Sequence, residues 1–340
     1  MEDFEQLEFL GRGGFASVYL VRRLNSPSLY AVKRILKSKV VTDQQKSRLE
    51  VENFILQQVT SPFLCRGFET FETTEEFAFL QEYVEGRTLY ECVWNYKDTG
   101  KFPENVAKFF AAQLVLALGE LHAVGYMHRD FKSGNVLIGK DGFVKVIDFG
   151  LAKKVLVGET EEDGRTHSIC GTHYIMAPEI MSRQPYGVGV DWWSLGVVIY
   201  EMVVGHPPWE YQCPPNSTID EYFQHITFIA RSPFQNAGDI AQRREQELSS
   251  DLQTLISGLL TINFHKRLGI NGATEVMHHT WFRDVNWEHL KTKDASINLP
   301  YSAQADYNAD RIRTHPSRID SLSSAESIDP EENAKYFAEF

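Results

Sequence analysis

Apolar and polar residues alternate through Phe4-Glu-Gln-Leu-Glu-Phe-Leu10, which predicts a strand with one buried face. The glycine-rich stretch Gly11-Arg-Gly13-Gly14 separates it from the apolar run Tyr19-Leu-Val21, so the pair reads as strand, turn, strand. Leu29-Tyr-Ala-Val-Lys33 and Phe77-Ala-Phe-Leu-Gln-Glu-Tyr-Val84 predict two more strands. Between them, residues 42–59 carry Leu49, Phe54, Ile55 and Val59 at helical spacing. After Glu85-Gly-Arg the period becomes helical: Val106, Phe109, Phe110, Leu114, Leu118 and Leu121 share one face of a helix over 103–124. A strand, a glycine and a change of period mark a lobe boundary. Residues 191–204 are apolar almost all round, which predicts a buried central helix. Further helices are expected around 248–260 and 273–278. From about Val285 the chain turns polar, and 294–333 offers few apolar anchors, so an extended or partly disordered stretch is expected. The chain closes on Lys335-Tyr-Phe337-Ala-Glu-Phe340, where two phenylalanines in a polar tail read as a docking motif.

A length of 340 residues exceeds one core of typical size and agrees with two lobes. No run approaches the roughly 18 apolar residues of a spanning helix. Met1-Glu-Asp-Phe lacks the features of a signal peptide and of a myristoylation site, so no membrane anchor is expected. Cys65, Cys92, Cys170 and Cys213 show no metal-ligand spacing, which suggests a reducing, cytoplasmic setting. A net charge of -12 argues against nucleic acid as the main partner and would suit a basic peptide.

The chemistry is concentrated in Tyr126-Met-His-Arg-Asp-Phe-Lys-Ser-Gly-Asn135 and, behind it, Val146-Ile-Asp-Phe-Gly150. The pattern is H-R-D-x-K-x-x-N with D-F-G thirteen residues after the asparagine. Phosphoryl transfer asks a protein for positioning and charge neutralisation, which such a set can supply. Asp130 can accept the proton of an incoming hydroxyl. Asn135 and Asp148 can hold Mg2+ against ATP phosphates, and Lys132 can neutralise the moving phosphoryl group. A solvated polar loop would explain Asp130 alone, but not the whole pattern. Lys33, fifteen residues after Val18, has the spacing of a lysine that contacts the α- and β-phosphates. Glu52 is the chosen ion-pair partner of Lys33; Glu50 is its rival, on another helix face. The glycines of 11–14 would admit phosphate to the backbone, a signal that a plain hairpin turn also gives. Ala16 stands at the third motif position. The backbone of 82–84 would face adenine, with Gln81 at the back.

Between D-F-G and Ala177-Pro-Glu179 lie an acidic piece at 157–164 and then Arg165-Thr-His-Ser168. Ser168 is the candidate phosphosite and Thr166 its rival. A phosphate there adds about -2 charge and could gather Arg48, Arg129 and Lys153. Asp191 is expected to anchor the catalytic-loop backbone, and Arg267 to pair with Glu179. His122 is expected to be structural.

Together these residues resemble the AGC group of eukaryotic protein kinases, over residues 4 to about 290 plus the terminal F-x-x-F. Within it the chain looks most like a cyclic-AMP-dependent protein kinase catalytic subunit. The likeness rests on Phe4-Glu, Ser61-Pro-Phe-Leu64, Val190-Asp-Trp-Trp193, and His279-Thr-Trp-Phe282 with Trp287. It implies an α+β, bilobal fold: a small β-rich lobe over 1–81, a hinge at 82–86, a larger helical lobe over 87–284, and a tail over 285–340. The tail would wrap back so that Phe337 and Phe340 fill a pocket on the small lobe. ATP with Mg2+ would lie in the cleft against Leu10, Gly11, Gly13, Gly14, Val18, Ala31, Lys33, Glu52, Glu82, Val84 and Leu137. The implied activity is a serine/threonine protein kinase, Lys132 favouring serine and threonine over tyrosine. The implied partners are protein substrates and either a cyclic-nucleotide-binding regulatory subunit or an upstream kinase.

The chain departs from the family in several places. His128 replaces the usual tyrosine, and Ser133-Gly134 replace Pro-Glu. Thr88, Gly134 and His173 stand where close relatives carry acids for substrate arginines, while Glu201 is kept. Loss of those acids weakens the case for an Arg-Arg-x-Ser/Thr preference. Gly67 falls on the small-lobe position of the regulatory spine and implies a gap or a shifted register there. Ala16, Gly67 and the altered acids motivate the alternative of a nucleotide-binding pseudokinase scaffold. Within the kinase class, a cGMP-dependent type or another divergent AGC kinase is the other alternative.

Overall fold

The computed structural model describes residues 3–13, 16–155, 166–209, 218–231, 233–234 and 248–301. Its first layer comprises β1 (Phe4–Arg12), β2 (Ala16–Arg23), β3 (Leu29–Leu36), α1 (Asp43–Gln58), β4 (Gly67–Glu72) and β5 (Glu76–Glu82). The strands form one antiparallel sheet in the order β1-β2-β3-β5-β4. Residues directly opposite one another share a face. The pairs Gly11–Val18, Val18–Lys33, Leu20–Ala31, Ala31–Gln81 and Gly67–Gln81 therefore gather the predicted nucleotide residues on the face toward α1. On the other face, Val21, Val32, Ala78 and Leu80 are buried beneath Phe4, Tyr19, Tyr30 and Phe71, a small second core. Thr42 starts α1 by a capping box with Gln45, and the helix turns Glu52, Ile55 and Leu56 inward.

The larger part follows as β6 (Gly86–Thr88), α2 (Leu89–Trp94), α3 (Glu104–Ala123), β7 (Tyr126–Met127), β8 (Val136–Gly139), β9 (Val144–Val146) and β10 (Lys153–Lys154). Then come α4 (Pro178–Met181), α5 (Gly189–Val204), α6 (Ile219–Ala230), α7 (Ser250–Leu259), α8 (Ala273–Met277) and α9 (Trp287–Lys291). Every residue of α5 is buried, including Asp191, Trp192 and Trp193, because the helix presents apolar groups in all directions to its neighbours. Arg267 makes a bidentate pair with Glu179 at 2.5 and 2.8 Å beneath this core, as the sequence suggests. The helix α3 is long and apolar enough to cross a membrane by composition, and 67% of that window is buried in the lobe.

The chain passes from β5, ending at Glu82, to β6, beginning at Gly86, where glycine is forced by packing: a Cβ there would stand 1.9 Å from the Ile138 carbonyl oxygen. A second junction exists upstream of β4. Cys65 N–H donates to Val146 O at 2.9 Å and Val146 N–H donates to Phe63 O at 2.8 Å, so residues 63–65 extend the β6-β8-β9 sheet of the large lobe.

Two expectations need correction. Of the two alternatives at Gly67 the gap is not there, since a Cβ on Gly67 would lie 2.8 Å from Leu56 Cβ and β4 backbone fills the space itself, whereas the shifted register is: the β4–β5 pairing shifts between Gly67 and Glu69. The stretch after Val285 is also better anchored than its polarity suggests. Leu290 is buried on α9, Ile297 packs on the core, and Tyr301 sits among Phe102, Phe110 and Tyr96 with ring centroids 5.5, 5.7 and 6.2 Å away. These anchors stand among mostly polar neighbours, so composition understates them. Gly14, the acidic piece at 157–164, Phe337 and Phe340 lie outside the described residues.

Candidate active site

Lys33 stands on β3 with its Nζ 2.6 Å from Glu52 Oε1 and 2.7 Å from Asp148 Oδ1. The helical period of α1 decides between the two rival glutamates: Glu52 is buried, while Glu50 is exposed. Burial would lower the Lys33 pKa, but the Asp148 and Glu52 charges outweigh it and hold the ammonium above its ordinary value. The Lys33 charge, working against burial, holds Asp148 down at about 2. Burial raises the Glu52 pKa above its ordinary value, and the Lys33 ammonium 2.6 Å away offsets part of that rise. Asp148 itself is 49% exposed, so its second oxygen is accessible from the cleft.

The H-R-D loop follows β7 and is fastened from below by Asp191. Its Oδ2 accepts from His128 N at 2.8 Å and faces His122 Nε2 at 2.8 Å; its Oδ1 accepts from Arg129 N at 2.9 Å. These bonds hold Arg129 at φ 68°, a left-handed conformation that an unsupported arginine avoids. Asp148 adopts φ 62° at the corresponding corner of the D-F-G turn. The His128 ring lies 5.6 Å from Phe149, and Phe149 is fully buried.

Four donors orient the Asp130 carboxylate. Thr172 gives Oδ1 its N–H at 2.9 Å and its hydroxyl at 2.7 Å, while Asn135 Nδ2 at 3.1 Å and Lys132 Nζ at 2.9 Å reach Oδ2. Lys132 Nζ also donates to Thr172 Oγ1 at 2.7 Å. Asn135 directs its amide nitrogen at Asp130, which leaves the amide oxygen to face elsewhere. Its backbone carbonyl accepts from Ile147 N at 2.9 Å, so Asn135, just before β8, and Asp148, two residues past β9, lie at neighbouring ends of the paired strands. Amide and carboxylate oxygens are hard donors of the kind that a divalent cation takes.

Of the predicted nucleotide residues, Gly11, Val18, Ala31 and Lys33 share one sheet face, and Glu82 ends β5. Val84 and Leu137 are half-buried; Leu10 is 40% exposed on β1. Gly13 N–H donates to Ala16 O at 2.9 Å and closes the turn. A Cβ on Gly11 or Gly13 would meet nothing within 4 Å, and neither residue has positive φ, so the fold itself does not demand glycine at either position.

Around Ser168, Arg129 Nη1 donates to the hydroxyl at 2.8 Å, and Lys153 Nζ donates to Thr166 Oγ1 at 2.7 Å. The two hydroxyls are 3.2 Å apart. Burial, with the Arg129 charge beside them, lowers both the Arg48 and the Lys153 pKa. Three cations are thus crowded at one spot. Thr166 is 4% exposed and exchanges both backbone hydrogen bonds with Tyr186, while Ser168 is more open.

Sequence reasoning missed Thr172 and Tyr186. The Tyr186 hydroxyl donates to Ser168 O at 2.5 Å, across eighteen residues of chain. The sequence signal available for Thr172 is its place after Gly171, whose φ of 108° turns the loop back onto Asp130. Thr88 is spent on the N-cap of α2 with Glu91. Glu201 is 2% exposed, and His173 is half-buried with its ring 5.9 Å from Tyr222.

A model of the protein kinase domain matches residues 4–282. The chain is 34% identical over 305 residues to cAMP-dependent protein kinase type 3 of Saccharomyces cerevisiae, covering 88% of this chain and 69% of that one. It is 32% identical over 345 residues to serine/threonine-protein kinase AtPK2/AtPK19 of Arabidopsis thaliana, covering 98% and 66%. It is also 32% identical over 336 residues to the cAMP-dependent protein kinase catalytic subunit of Dictyostelium discoideum, covering 97% and 48%. The chain therefore spans about half to two thirds of the length of these curated relatives.

Proposed function

We propose that this chain, which belongs to the protein kinase family, transfers the γ-phosphoryl group of ATP to serine and threonine hydroxyls of proteins. The observation that carries the reading is Lys33 Nζ held between Glu52 and Asp148 at 2.6 and 2.7 Å, with the fastened Asp130 loop on the adjoining strands. Lys33 would hold the α- and β-phosphates, its charge kept by the two acids. Backbone N–H groups of 11–14 would approach the phosphates, which explains glycines that the fold does not require. Asn135 and Asp148 would hold Mg2+, which supplies neutralisation of phosphate charge. Asp130, oriented by Thr172, Asn135 and Lys132, would take the hydroxyl proton, and Lys132 would face the transferring group. Little beyond positioning and electrostatics is required for this chemistry.

Ser168 is the proposed activating phosphosite. A phosphate on it would relieve the mutual repulsion of Arg48, Arg129 and Lys153. The greater exposure of Ser168 favours it over the buried Thr166. We further propose lobe limits of 1–81 and 87–284 around a hinge at 82–86. The tail would begin at 285, with Phe337 and Phe340 docking on the small lobe. A cytoplasmic setting, agreeing with free Cys65, Cys92 and Cys170, also belongs to the reading. So does control by an upstream kinase or a cyclic-nucleotide-binding regulatory subunit, the relatives' names being the only support for the latter. With Thr88 engaged and Glu201 sealed, a requirement for paired arginines in the substrate is not expected. The test is a mixed peptide array with labelled ATP and Mg2+: label on serine and threonine supports the reading, and label absent after Ser168 phosphorylation rejects it.

A further inference from the structure

We infer that Lys145 is a positioning residue that clamps the hinge from behind, through the Glu82 side chain, and so fixes the backbone edge that reads adenine; this rests on the proposed kinase reading. Lys145 lies on β9 of the large lobe, paired across the strands with Leu137, and its side chain is only 13% exposed. Its Nζ is 2.8 Å from Glu82 Oε2 and 3.4 Å from the Leu64 carbonyl. Glu82 is the last residue of β5, opposite Tyr30 in the small-lobe sheet. One ammonium thus ties three pieces: the large-lobe sheet, the 63–65 segment joined to it, and the start of the hinge.

The surroundings make this bond matter. Glu82 N–H donates to Arg66 O at 2.8 Å, so the backbone of 82 is braced on its strand side. Cys65 lies behind it, with Sγ 3.9 Å from Gln81 Oε1 and 3.8 Å from Glu82 O. Burial, with the Glu82 charge next, pushes the Cys65 thiol up to about 12, so it stays a neutral wall rather than a competing partner for Lys145. Glu82 Oε2 takes its short contact from Lys145 Nζ at 2.8 Å, with Arg66 N–H a longer second donor at 3.5 Å. The two inter-lobe ion pairs named here have different tasks. Lys33–Asp148 closes the front of the cleft and is bound up with phosphate chemistry. Lys145–Glu82 lies at the back and governs where the 82–84 backbone sits.

The sequence hides this pair. Lys145 reads as an exposed lysine in the alternation Val144-Lys-Val146, and Glu82 reads as a hinge residue that works through its backbone. Their partnership spans 63 positions.

The test uses the full chain and four variants: Lys145→Gln, Lys145→Glu, Glu82→Lys and the reversed pair Lys145→Glu/Glu82→Lys. Hydrogen exchange at the amides of 82–84 is measured without nucleotide, and ATP KM and kcat are measured separately. Each single variant is expected to speed exchange at 82–84 and raise ATP KM about fivefold to tenfold with kcat within about twofold. The reversed pair is expected to recover both. Unchanged exchange and KM in Lys145→Gln, or a reversed pair no better than its parents, would overturn the clamp. If Lys145→Glu does not fold, Lys145→Gln, which is close in size and uncharged, carries the test. Absence of phosphotransfer in the unmodified chain would reject the kinase reading instead, and the exchange data would still decide the clamp.

Discussion

Gly67 on β4 and Leu56 on α1 approach so closely that a Cβ on the glycine would stand 2.8 Å from the leucine Cβ. Leu56 lies one turn beyond Glu52, the partner of Lys33. A side chain at 67 must push α1 away, and Glu52 with it. Overpacking of this kind typically costs about 1–3 kcal/mol. Gly67→Leu is therefore expected to lower thermal stability and to cut kcat/KM by about tenfold or more. Activity that rose in Gly67→Leu would mean that a cavity exists there after all.

Thr172 is the brace of Asp130. Thr172→Val keeps the shape and removes the hydroxyl that donates to Asp130 Oδ1 and accepts from Lys132 Nζ. Hydrogen bonds to charged groups are worth about 1.5–3 kcal/mol, so kcat should fall about tenfold to a hundredfold. ATP KM should change little, because Thr172 touches neither Lys33 nor Asp148. A KM effect without a kcat effect would move Thr172 out of this role.

Much of this site was legible because the chemistry requires its residues close together in the chain. His128 to Asn135 and Asp148 to Gly150 are contiguous, and Glu52 was separable from Glu50 by helical period. Thr172, Tyr186 and Lys145 were not legible, since each meets its partner only after tertiary folding and none belongs to a periodic pattern. Gly67 shows another limit: a sequence reveals a missing side chain but not how close the neighbouring backbone comes. Tyr301 fills an aromatic pocket made by three residues, and nothing local to it announces that pocket.

Acid should reveal the Lys33–Asp148 pair. The folded-state pKa of Asp148 is depressed to about 2 from 3.8, so its contribution to stability is present above 3.8 and is lost as pH falls toward 2. Lys33 is raised, so its share is present below 10.5 and is lost only as pH rises through its folded value. The gap in urea midpoint between the unmodified chain and Asp148→Asn should stay flat from pH 5 to 9, then narrow below about pH 4. Solvent at the half-exposed carboxylate keeps the gap small. A gap that widens in acid would contradict the assignment.

The Ser168 pocket separates the two hydroxyls. Ser168→Ala should lower activity by about tenfold or more, because three cations lose the phosphate that would organise them. Thr166→Ala should leave phosphorylation at 168 detectable by mass spectrometry. Phosphate found only at 166, in protein activated to the same extent, would transfer the role to Thr166.

The central claim is that Asp130 takes the proton from the accepting hydroxyl in a site where other residues bind the nucleotide. The most direct measurement sets Asp130→Asn against the unmodified chain, with phosphate transfer from labelled ATP and the Kd of a fluorescent ATP analogue determined on the same samples. Transfer should fall by about a hundredfold or more while Kd stays within about threefold. Equal transfer by both proteins would contradict the account.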